Sequence, residues 1–175
     1  MPSNILAHLP KVRSWIDELL VRSRPQAVRV STLPFKRLRF FYSAGTLERA
    51  WCVVTDRVPV PPLTLLGLPG FEEFEHGSPQ GITFQDLYFV RRDHATDESL
   101  HFHELVHTVQ WNYLGPDGFL EAYALGYLQG GGYMGNPLER IAYSLQDDFE
   151  RGEYDFQAEP QVISHLRELT SRRLP

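Results

Sequence analysis

Residues 97–114 read DESLHFHELVHTVQWNYL, and the interpretation of the whole chain turns on them. Thr96 or Asp97 can accept from the free backbone N–H groups at the start of a helix. Glu98 puts negative charge in its first turn, and Gly115-Pro116 stops it. The spacing predicts a helix of about four turns. Within it His103 and His107 stand at i and i+4 on one face, where two imidazoles reach a single tetrahedral zinc ion at roughly 2.0–2.1 Å each. Glu104 is carried beside the metal rather than onto it, the place for a carboxylate that takes a proton from water and returns it to a leaving amine. With seven His and thirteen Glu in the chain, HExxH arises by chance only rarely, and Val106, Val109 and Trp111 give this copy a helical, core-facing context. An amphipathic helix whose histidines are merely hydrogen-bonded is the plain alternative. His101, at i−2 from His103, is expected to leave that face for the surface or for a place behind a ligand.

A catalytic zinc site takes three protein ligands, and the candidates for the third flank this helix. A second helix is expected from about Asp117 to Gln129, with Glu121 near its start. After GGGYMG (130–135), a third helix opens as NPLERIAYSLQDDF, with Asn136 as N-cap and Pro137 at its first position. Glu139 then sits where it either ligates the metal or closes a capping box on Asn136; the ligand reading is preferred. Glu121 reads as a solvated or capping carboxylate, and His94 is a further candidate in the loop before the central helix. Tyr143, one turn after Glu139, is a candidate catalytic phenol for a developing oxyanion, as are Tyr133 and Tyr123. Buried tyrosines with a satisfied hydroxyl are the commoner case.

Upstream, GITFQDLYFV (81–90) offers Ile82–Phe84 and Leu87–Val90, which pair across Gln85-Asp86 or form one bent strand. Either arrangement puts a sheet edge beside the motif. VPVPPLTLLGLPG (58–70) is too rich in proline for a central strand and reads as an ordered apolar loop able to wall a groove. RLRFFYS and ERAWCVVT, within 36–55, read as a hairpin about Ala44-Gly45-Thr46. Ser3 or Asn4 can cap a first helix carrying Ile5, Leu6, Leu9, Val12, Ile16, Leu19 and Leu20, with Pro10 as a kink. The fold class is therefore α+β: a small N-terminal mixed or antiparallel sheet, an active-site helix and C-terminal helices. One domain is expected over 1–175, with an N-terminal helix and basic segment at 1–35, a strand-rich part at 36–92 and a helical part at 96–175.

At 175 residues and 42% hydrophobic, the chain suits one core and is short for two domains. Its net charge of −5 hides a split, since residues 1–40 hold eight Lys/Arg against two Asp/Glu. A solvated face accounts for that basic segment, and the acidic total with no recognised binding motif argues against nucleic acid. In MPSNILAHLPKVRSWIDELL no apolar stretch reaches the length of a signal-peptide core or a membrane span. The expectation is a cytoplasmic protein without a membrane partner, specialised secretion leaving no readable mark. Cys52 is the single cysteine, so no internal disulfide forms, and Trp51, Val53 and Val54 make it a strand residue.

HELVHTVQW (103–111), with GITFQDLYFV before it and NPLERIAY (136–143) some thirty residues after it, resembles the minimal gluzincin group of zincin-like metallopeptidases. That group includes bacterial domains of unassigned function carrying HELxHxxQ. The resemblance covers roughly residues 80 to 150 and leaves the first 75 unassigned. It implies a zincin fold in which His103, His107 and Glu139 bind one Zn2+ and Glu104 is the catalytic base, with Ala142 the small residue one turn beyond the glutamate ligand. Ile141 departs from the commonest pattern, which has an acidic residue there, and puts in doubt a hydrogen bond that would tune a ligand.

The expected activity is hydrolysis of a peptide or protein substrate, aligned as an added strand along the sheet edge of residues 82–90, with apolar residues near Leu63 to Phe71 forming a specificity pocket. The alternative from another class is a non-catalytic zinc-binding interaction or structural module, against which Glu104 argues, because a purely structural site needs no base. An exported toxin or effector peptidase is a third reading.

Overall fold

The computed structural model describes residues 5–171. In chain order its elements are α1 (Leu9–Ser23), β1 (Val28–Arg29), α2 (Leu38–Phe41), α3 (Ala44–Arg49), β2 (Trp51–Thr55), α4 (Glu72–Glu75), β3 (Gly81–Phe84), β4 (Leu87–Arg91), α5 (Glu98–Gly130), α6 (Pro137–Glu150) and α7 (Ala158–Ser171). The fold is α+β, a small mixed sheet with helices after it. The capping sites Ser3 and Asn4 lie outside the described residues. Pro10 occupies the first turn of α1, where its missing N–H costs nothing, so it opens the helix and does not kink it. Val12, Ile16 and Leu20 turn inward from α1 at helical spacing, as expected.

The sheet order is β1-β2-β4-β3. β2 runs parallel to β4, with Cys52 opposite Tyr88, while β3 is antiparallel to β4. Cys52 is buried in β2 and free, as read from its neighbours. Leu87 to Val90 are all buried, which fits an apolar run in a strand flanked on both sides. Of these two strands only β3 is an edge; β4, which the sequence reading placed along the same edge, is central. The turn Gln85-Asp86 joins them with Gln85 in the left-handed region at φ 58, a conformation that costs a non-glycine residue roughly 1–2 kcal/mol. Contacts to α1 hold the turn: Gln85 Nε2 donates to Asp17 at 2.8 Å, and Arg24, which follows α1, pairs with Asp86 at 2.7 Å.

The expected hairpin over 36–55 is corrected: only Trp51–Thr55 is a strand, and the rest is two short helices. Aromatic β-propensity is overridden by tertiary contacts here. The Glu98 carboxylate accepts from the backbone N–H of Arg37 and Leu38 at the start of α2, and Ser43 accepts from Thr46 N to cap α3. Phe41 is fully buried against Phe102 and Phe149, at ring separations of 5.5 and 5.2 Å. The proline-rich segment 58–70 carries no strand, as expected, and buries Val58, Leu63 and Leu68.

Asp97 is the N-cap of α5, accepting from Ser99 and Leu100 N. Inside α5, Gly115 leaves helical geometry at φ 69 and ψ 165 just before Pro116, and the axis breaks there. The first arm thus ends at Leu114 and the second begins at Pro116, as the Gly-Pro pair predicts. Every residue from Leu100 to Trp111 is buried, because this arm is sandwiched between β3 and β4 on one side and α6 and α7 on the other. α6 starts with Asn136 accepting from Leu138 N and Pro137 in its first turn. Among the described residues no helix is long and apolar enough to cross a membrane.

Candidate metal centre

Helical phase brings His103 and His107 to one face of α5, and the first turn of α6 brings Glu139 to meet them. His103 Nε2 and His107 Nε2 are 3.1 Å apart, and Glu139 Oε2 lies 3.5 Å from the first and 3.3 Å from the second. Ligands at 2.0–2.1 Å from a tetrahedral zinc ion stand roughly 3.3–3.4 Å from one another, so the three atoms already have the spacing of three corners of that tetrahedron. All three side chains are buried, and Glu139 Oε2 makes no hydrogen bond. A buried carboxylate oxygen without a hydrogen-bond partner is costly unless a cation meets it, so the donor set fits a metal ion. No other group of His, Cys, Asp and Glu with this geometry occurs among the described residues.

The electrostatics follow from the same proximity. Burial pushes the Glu139 carboxyl up, but the facing His107 and His103 outweigh it and hold the group well below the usual carboxylate range. Burial opposes charge on His107, yet Glu139 raises it to about 9.

Each histidine ring is oriented by a glutamine that the sequence reading did not single out. His107 Nδ1 bonds Gln110 Oε1 at 2.8 Å, and His103 Nδ1 bonds Gln146 Oε1 at 2.9 Å. An amide oxygen only accepts, so both rings carry their proton on Nδ1 and present a bare Nε2 to a metal. The amide nitrogens fix the orientation: Gln110 Nε2 donates to Leu138 O, next to Glu139, and Gln146 Nε2 donates to Ser99 Oγ and Glu150. Gln110 was visible in HELVHTVQ, three residues past the second histidine; Gln146, seven past Glu139, carried no local signal. Ile141 is buried in the core, and the Nδ1 partner of each histidine is one of these amides. Gln146→Ala is expected to weaken zinc binding by about 10- to 100-fold without unfolding the protein, as measured by competition with a chromogenic chelator.

The remaining sequence candidates separate cleanly. Glu121 is exposed on the second arm of α5, and His94 sits in a short turn beside Arg91 and Asp93. Neither belongs to the candidate group of His103, His107 and Glu139. Glu139 does not close a capping box, since the N–H of Asn136 donates to Tyr133 O. Tyr123 donates to Glu139 Oε1 at 2.7 Å, leaving Oε2 to face the histidines. The ring of Tyr143 is 4.6 Å from that of His103, and its hydroxyl lies 3.4 Å from the hydroxyl of Tyr133. Both of these phenols line an open cleft of 540 Å³ whose floor holds His103 and Glu104.

Glu104 is buried between that cleft and a 50 Å³ cavity shared with His107, Glu139, Tyr123 and Tyr133. Burial raises its carboxyl above the ordinary glutamate value, against the opposing pull of both histidines and of Thr83. An apolar cavity of 80 Å³ walled by Leu63, Leu68, Phe71, Phe84 and Phe119 shares Ile82, Thr83 and Tyr123 with that smaller one. The segment 58–70 therefore does line a pocket.

His101 points away from the ligands, as expected, but into the core and not to the surface. Its Nε2 donates to Ala95 O at 3.1 Å, so Nδ1 accepts from Tyr88 OH at 2.7 Å. Burial lowers its pKa below the ordinary histidine value. The unfolded chain therefore binds this proton more readily than the folded one. The contribution of His101 to stability is complete above pH ~6.5 and declines as pH falls through that value, with a slope approaching ~1.4 kcal/mol per pH unit. Guanidinium unfolding between pH 7 and 5 checks this, and His101→Gln is expected to flatten the slope.

No protein-family model, no curated protein and no solved structure matches this chain.

Proposed function

We propose that this protein is a zinc-dependent peptidase of the gluzincin type, with a zincin-like fold in which α5 is the active-site helix and α6 supplies the third ligand. The observation that carries the reading is the triangle of His103 Nε2, His107 Nε2 and Glu139 Oε2, with sides of 3.1 to 3.5 Å, beside a buried glutamate on the floor of a cleft.

His103, His107 and Glu139 would hold the ion. Zinc, when bound, acts as a Lewis acid on the substrate carbonyl and on water. Glu104 accepts a proton from the attacking water and passes it to the leaving amine; raised by burial, its carboxylate is a stronger base than an exposed one. Tyr143 and Tyr133 offer hydroxyls to negative charge developing on the carbonyl oxygen. Gln80 O accepts from Arg91 N, so strand alternation turns the backbone groups of Gly81 and Thr83 outward from β4. The carbonyl of Thr83 is taken by Trp111 Nε1 at 3.1 Å, which narrows the length available for an added peptide strand to the Gly81 end. An apolar substrate side chain next to the scissile bond suits the cavity behind Thr83.

The test is the zinc-to-protein ratio of purified protein after dialysis against a weak chelator, followed by a peptide-library cleavage screen. A ratio near one with cleavage after or before bulky apolar residues is expected. A ratio near zero that added zinc does not restore overturns the reading, and zinc without cleavage returns the chain to the class of non-catalytic zinc modules.

A further inference from the structure

Glu104 meets the edge strand in a way that ligand binding does not require. Thr83 Oγ1 lies 2.6 Å from Glu104 Oε2 and 3.0 Å from the Glu104 carbonyl. That carbonyl already accepts from Thr108 Oγ1 at 3.2 Å, so the single Thr83 hydroxyl proton goes to the carboxylate. Both partners are buried, which makes this a charge-assisted hydrogen bond away from solvent.

Two residues earlier, Gly81 is an ordinary member of β3, so its backbone does not call for glycine. Space does: a Cβ there would stand 2.4 Å from Glu104 Oε1, 2.9 Å from Cδ and 3.1 Å from Cγ. The conflict runs along the side chain and does not stop at its tip, so the whole carboxylate arm would have to swing. Nor can the strand retreat easily, since Trp111 from the same helix holds Thr83 O.

We infer that Gly81 and Thr83 are positioning residues: the bare Cα of one and the hydroxyl of the other form a seat on β3 that fixes the Glu104 carboxylate beside the metal site. The effect on turnover rests on the peptidase reading; the placement of Glu104 does not. A methyl group at 81 displaces the carboxylate by about 1 Å to restore normal contact, and a misplacement of that size costs on the order of 100-fold in rate.

The experiment compares Gly81→Ala, Thr83→Val and Thr83→Ser in the full chain by zinc content, kcat and KM, and a crystal structure of Gly81→Ala. Expected are zinc at the wild-type ratio in all three, kcat reduced at least about 10-fold with KM within twofold for Gly81→Ala and Thr83→Val, near wild-type kcat for Thr83→Ser, and a displaced carboxylate in the structure. An unmoved carboxylate in Gly81→Ala, or equal kcat for Thr83→Val and Thr83→Ser, overturns the proposal. Should the wild type cleave nothing while the carboxylate of Gly81→Ala is displaced, the seat stands and the peptidase reading falls.

Discussion

Glu104→Gln is expected to abolish peptide cleavage while zinc stays bound at the wild-type ratio. The substitution keeps the shape of the side chain, and its amide oxygen can still accept from Thr83 Oγ1, so the seat on β3 remains filled. What it removes is the basic oxygen. Positioned general bases contribute about 10²–10⁴ in rate, and kcat is expected to fall by that range. The three proposed ligand atoms belong to His103, His107 and Glu139, none of which changes, so metal retention has no reason to drop. Single-turnover kinetics with elemental analysis of the same samples separates the two effects. Retention of more than about a tenth of wild-type kcat would remove Glu104 from the role of base.

Glu139→Gln gives the complementary result: zinc is lost first. The wild-type carboxylate presents Oε2 to both histidines and is held in its charged form by them. A neutral amide supplies a much poorer ligand atom, and Tyr123 would compete for its oxygen. The zinc dissociation constant is expected to rise by at least about 100-fold, on the order of 3 kcal/mol, because loss of a ligand exceeds the 10- to 100-fold effect of losing a supporting hydrogen bond. Glu121→Gln, on the exposed arm of α5, serves as the control and leaves affinity unchanged. If Glu139→Gln holds zinc as firmly as wild type, the third ligand lies elsewhere.

What the sequence revealed and concealed divides along the range of the interactions involved. The pair His103 and His107, the Asp97 cap, the break at Gly115-Pro116 and the Asn136-Pro137 start are local. Each depends on residues within one or two turns, and backbone geometry fixes their outcome before any packing is considered. At Gln85-Asp86 the sequence left a hairpin and one bent strand both open, and the structure pairs Gly81–Phe84 with Leu87–Val90 across the turn.

Segment 36–49 went the other way. Its aromatic residues suit a strand and became helical turns because Glu98, some sixty residues distant in the chain, satisfies the N–H groups of Arg37 and Leu38, and because Phe41 fills a space between Phe102 and Phe149. The burial of His101, expected at the surface or behind a ligand, stayed open for a related reason: helical phase says which way a side chain points, not whether Tyr88 and Ala95 wait there to bond it.

The identity of the candidate site thus came from spacing along one helix, whereas its completion came from the packing of α6 on α5. That packing carries Glu139 to within 3.5 Å of both histidines and sets Gln146 behind the ring of His103, while the separate packing of β3 on α5 lays the strand against Glu104. Sequence by itself determined the two histidines, the glutamate between them and the helix that carries all three, because a repeat of 3.6 residues per turn is a property of the backbone. Which carboxylate closes the triangle, that Gln146 stands behind His103 and which strand seats Glu104 were decided by tertiary structure, because those distances depend on how whole elements bury their apolar faces together.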